Sequence, residues 1–76
     1  MAKQSKPFMR FEVNFIFKFS LIIRVHGAEY ARRDAYNVLE SKYGRSATIK
    51  GAGVALSAVP EGAQPLKNCD WAWIVE

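Results

Sequence analysis

Cysteine and histidine occur once each in this 76-residue chain, proline three times and glycine five times. A single cysteine closes no internal disulfide, and one cysteine with one histidine cannot furnish the four ligands of a structural zinc site. No stretch of about 20 predominantly apolar residues is present, so no helix is expected to span a membrane. The longest apolar segment is interrupted by Arg10, Glu12, Lys18 and Arg24. The opening residues, Met-Ala-Lys-Gln-Ser-Lys-Pro, are too polar for the apolar core of a secretory leader. With a lone free thiol, a cytoplasmic location is the expectation. At 50% hydrophobic and 13% aromatic residues, the chain is too apolar for disorder. Its length allows one domain, residues 8–76, behind a flexible basic tail at 1–7.

Acidic residues are scarce at one end. Residues 1–26 carry Lys3, Lys6, Arg10, Lys18 and Arg24 against Glu12 alone, which accounts for the whole net charge of +4. From residue 27 onward six basic and six acidic residues cancel. Such an asymmetry can steer a domain toward nucleic acid or an acidic protein surface, or it can simply keep a tail and a strand face solvated.

The strongest pattern runs from Phe11 to Val25. Every odd position is apolar, and the even ones include Glu12, Asn14, Lys18, Ser20 and Arg24. That period of two, with no Gly, Pro or Asn-Gly to reverse the chain, predicts one unusually long half-buried strand. Residues 28–43 follow with helical spacing, Ala28, Ala31, Ala35, Val38, Leu39 and Lys42 forming one stripe. Glu29 and Lys42 suit the helix dipole, Glu29 can meet Arg33 one turn on, and Gly44 suits the C-terminal cap. A second strand is predicted over residues 46–59, with Gly51 and Gly53 suggesting a bulge. Residues 60–70 read as a loop. Residues 71–75 read as a third strand with Trp71, Trp73 and Val75 on one face. The expected fold is therefore α+β, a β-α-β-β antiparallel sheet with one helix on one face.

A strand of fifteen residues would reach about 50 Å, whereas a sixteen-residue helix reaches about 24 Å. The helix would leave part of the apolar strand uncovered. Three outcomes follow: the strand bends over its own sheet, a second copy covers it, or a different protein does. For the second, Phe11, Phe15, Phe17 and Phe19 form the expected oligomer face of a homodimer.

No catalytic set is found. His26 has no nucleophile or orienting carboxylate beside it, and Asp70 next to Cys69 disfavours a thiolate. Glu29, Asp34 and Glu40 share a helix with Arg32 and Arg33, which reads as ion pairing. Gly51-Ala52-Gly53 lacks the full phosphate-loop pattern. No metal or cofactor site is expected. Two binding faces remain: Arg10, Lys18 and Arg24 on the strand face away from the phenylalanines, and Arg32, Arg33 and Tyr36 on the outer helix face, Arg and Tyr being favoured at interfaces. The strand face lacks stacking aromatics, so any nucleic-acid contact there is expected to be phosphate-driven and blind to sequence.

The stretch from Phe19 to Tyr36 reads strand, short corner, Ala-rich helix. With the strand beyond it, over residues 11–59, it resembles the architecture of small phage-encoded inhibitors, among them anti-CRISPR proteins and host-polymerase inhibitors. The resemblance is one of pattern, with no residue motif to carry over. It implies a non-catalytic domain that binds and blocks a host protein or nucleoprotein complex through a charged or aromatic surface. A sequence-nonspecific nucleic-acid-binding domain and a self-assembling structural subunit are the alternatives.

Overall fold

The alternation that predicts one long strand is compatible with two. In the computed structural model, which describes residues 8–24 and 27–76, β1 (Phe8–Asn14) and β2 (Lys18–Arg24) form an antiparallel hairpin. Its register runs from Phe8 opposite Arg24 to Asn14 opposite Lys18. Paired residues always share parity, so odd positions stay inside on both sides of the turn. The expected single strand is thus corrected to a hairpin, and periodicity alone could not tell them apart. The loop Phe15-Ile16-Phe17 has no turn residue, and side-chain packing pins it. Phe15 lies 4.9 Å from the Tyr43 ring and Phe17 5.3 Å from that of Phe19. The Phe15 N–H donates to the Phe17 carbonyl at 3.0 Å.

A turn of 3-10 helix (Ala28–Tyr30) leads into α1 (Ala31–Tyr43), which buries Ala31, Ala35, Val38 and Leu39. These four belong to the expected stripe, whereas Lys42 is exposed. Gly44 ends the helix at φ 76°, its N–H bonded to the Glu40 carbonyl, a backbone angle that disfavours a Cβ. β3 (Thr48–Leu56) pairs with β1, and β5 (Ala72–Val75) with β2. The expected loop contains a two-residue strand, β4 (Gln64–Pro65), on the outer side of β5. The result is α+β, with one helix and a five-stranded antiparallel sheet ordered β3-β1-β2-β5-β4. The chain order is β-β-α-β-β-β, correcting the expected β-α-β-β. The lead-in 1–7, Val25 and His26 lie outside the described residues.

Two seven-residue strands of about 24 Å match a thirteen-residue helix of about 20 Å, so the length mismatch disappears. The core joins Phe11, Val13, Phe19, Leu21 and Ile23 to the helix stripe, Ala47, Ile49, Ala72 and Ile74. Four of these are alanines, which lets α1 lie close to the sheet. Leu39, 1% exposed, is the large helix side chain at its centre, and truncating it to alanine is expected to cost about 2–5 kcal/mol. β3 carries two extra residues against β1, so Gly51, Ala52 and Gly53 bulge opposite Phe11. The bulge predicted from the glycines is present, and Gly51 adopts φ 77° there. A Cβ on Gly53 would stand 2.7 Å from Phe11 Cε1, so this glycine makes room for the core ring.

Candidate binding face

With α1 on one side, the sheet turns its other face outward, and register places the side chains there. In β1 and β2 these are Phe8, Arg10, Glu12 and Asn14, and Lys18, Ser20, Ile22 and Arg24, with Ser20 and Ile22 buried beneath their neighbours. β3 adds Thr48, Lys50, Val54 and Leu56, while β5 adds Trp73 and Val75. Arg10, Lys18 and Arg24 therefore share one face, opposite the phenylalanines. Arg10 belongs to a local network. Its Nε donates to Ser20 Oγ at 3.0 Å and lies 3.3 Å from Glu12 Oε2, and Ser20 Oγ lies 3.1 Å from the same carboxylate oxygen. Ser20, 4% exposed, is satisfied by receiving from arginine and donating to glutamate. Arg24 leans on the Asp70 carbonyl at 3.5 Å. Lys18 and Lys50 are exposed, and neither forms an ion pair with a described residue.

Arg32 and Tyr36 do not join this face. Ile49 donates its N–H to Tyr36 Oη at 3.2 Å, and Arg32 Nη1 donates to the Gly51 carbonyl at 2.9 Å. β3 is an edge strand, and these helix side chains occupy backbone groups on its outer side, which guards against unwanted strand pairing. Arg33 sits over the Tyr30 ring at 4.8 Å and 3.7 Å from Asp34, not paired with Glu29. The six predicted binding residues thus divide between two surfaces.

The expected oligomer face also divides. Phe11 and Phe19 are buried in the chain's own core, Phe15 packs against it, and only Phe17 is exposed, beside Ile16 at the hairpin tip. Most of the apolar strand surface that motivated self-association is therefore buried within the chain. Tyr43 lies between Phe15 and Phe19. Its hydroxyl titrates above the ordinary tyrosine value, chiefly through burial and further through the Glu76 charge.

Elsewhere, a groove of about 440 Å³ runs between α1 and residues 66–71, lined by Ser41, Lys42, Leu66, Lys67, Cys69 and Trp71 among others. Among the described residues, no group of three or more His, Cys, Asp or Glu side chains could hold a metal. Nor is any helix of the described residues long and apolar enough to cross a membrane. No family model, curated protein or solved structure matches the chain.

The sequence reading missed Phe8, Lys50 and Trp73. Phe8 has the parity of Arg10 and Glu12, so the alternation extended by one step would have found it. Lys50 and Trp73 needed the register of β3 and β5. Trp71 parts from Trp73, correcting the expected shared tryptophan face: it precedes β5 and packs against the core cluster, whereas Trp73 lies on the open face.

Proposed function

We propose that this chain is a non-enzymatic interaction module of the cytoplasm, one that binds and blocks a protein or nucleoprotein complex through the open face of its sheet. The observation that carries this reading is the combination of Trp73 and Phe8 with Arg10, Lys18, Arg24 and Lys50 on the face that α1 leaves uncovered. Tryptophan and arginine dominate binding energy at interfaces, tryptophan through large contact area at low rotamer cost and arginine through several donors in a preorganised planar fork. Blocking activity is what the resemblance to small phage-encoded inhibitors implies. Arg32 and Tyr36 contribute by holding the β3 edge, not by touching the partner.

The test is affinity capture from a cell lysate with the wild-type chain and with a Lys18→Glu, Arg24→Glu, Lys50→Glu variant. All three positions are exposed, so the fold should survive, which circular dichroism checks. A complex held by wild type and lost by the variant supports the reading. Identical capture by both refutes it.

A further inference from the structure

Sequence reasoning leaves the basic strand face without aromatics, and the tertiary structure supplies them. Phe8 and Trp73 meet edge to face, with ring centroids 5.7 Å apart and planes 73° apart, and both are partly exposed. Arg24 is the cross-strand partner of Phe8, and Trp73 pairs with Ile22, two residues from Arg24. Lys18 lies at the opposite end of β2, about 20 Å from Arg24 along the strand. Lys50 flanks the middle, across β1 from Ser20 in the register of Glu12. Arg24 stands beside the rings, Lys50 and Lys18 follow at increasing distance along the face, and the carboxylate of Glu12 between them is held by Arg10 and Ser20.

We infer that this face binds single-stranded nucleic acid, with bases stacking on Trp73 and Phe8 and phosphates meeting Arg24, Lys18 and Lys50. The inference rests on the open-face reading above and names the chemistry of its partner. A spaced row of cations complements a continuous polyanion, and neutralising phosphates releases condensed counterions. Aromatic rings accept any base by its π-face, so binding of this kind is tolerant of sequence. A duplex hides those base faces, so the rings contribute only with a single strand. Among the described residues, the helix packs on the opposite side of the sheet.

The test is fluorescence anisotropy with labelled oligouridylate, oligothymidylate and a duplex of equal length, across a salt series. Both single strands should bind more tightly than the duplex, with affinity falling as salt rises. Lys18→Gln and Lys50→Gln should each reduce the log–log salt slope by about 0.7. Trp73→Leu should weaken binding by about 5- to 150-fold with the slope unchanged. Phe8→Leu serves as the second ring variant should Trp73→Leu fail to fold. Absence of binding at low salt, equal affinity for duplex, or unchanged affinity in a folded ring variant would overturn the inference. If the oligonucleotides fail while the charge-reversed variant still loses its captured complex, the face is a protein interface. In that event the inference falls and the proposed function stands.

Discussion

Gly53→Ala should destabilise this protein, although the same change in an ordinary strand would do the reverse. Replacing a strand glycine by alanine removes backbone freedom from the unfolded chain and normally stabilises by about 0.4–1 kcal/mol. Gly53 has no positive φ to forbid a side chain. A Cβ there, however, would stand 2.7 and 2.8 Å from Phe11 Cε1 and Cζ and 3.0 Å from Met9 Cε. The methionine end can swing aside; the Phe11 ring, 2% exposed within the core, cannot move without displacing its neighbours. Overpacking of this kind costs about 1–3 kcal/mol, more than the entropic gain, so the net change is a loss of roughly 0.5–2 kcal/mol. For a domain of this size, each kcal/mol lowers the thermal midpoint by about 4–8 °C. Urea denaturation followed by circular dichroism measures the effect. Adding Phe11→Leu should relieve the clash, so that the double variant loses at least about 0.5 kcal/mol less than the two single losses combined. A Gly53→Ala protein as stable as wild type or more so, or strict additivity with Phe11→Leu, would refute the argument.

Three further outcomes follow from the same geometry. Tyr36→Phe removes the acceptor of the Ile49 N–H and should cost about 1–3 kcal/mol by leaving that donor unpaired; combined with Arg32→Ala it should also expose the β3 edge, seen as concentration-dependent mass by light scattering. Ser20→Ala breaks the link between Arg10 and Glu12 at a buried hydroxyl and should cost about 1–3 kcal/mol in urea melts, whereas Ile16→Asn, at a residue 87% exposed, should stay within about 0.5 kcal/mol of wild type. Tyr43 keeps its proton more tightly when folded than unfolded, so its contribution is fully present below the unfolded value near 10 and is lost as pH rises through the folded value; Tyr43→Phe should flatten that alkaline loss, and a wild-type curve already flat through this range would contradict it.

Sequence patterning and tertiary structure divided the decisions cleanly. Alternation assigned Phe11, Val13, Phe19, Leu21 and Ile23 to the core and Arg10, Lys18 and Arg24 to the opposite face, because side-chain direction in a strand depends only on parity. The Ala31, Ala35, Val38, Leu39 stripe, the Gly44 cap and the bulge at Gly51–Gly53 are likewise local consequences of residue shape. Chain reversal at Phe15–Phe17 was invisible, since a turn that pairs residues of like parity leaves the alternation unbroken, and this one is pinned by Tyr43 and Phe19 instead of by turn chemistry. Strand order was equally invisible, because no local pattern says which strands become neighbours. Nothing local in Trp73 or Lys50 reveals that register sets them on the face of Phe8 and Arg10, nor that Arg32 and Tyr36 reach the β3 edge from α1. Those juxtapositions join residues far apart in the chain, and they depend on which strands pair and how α1 lies across them.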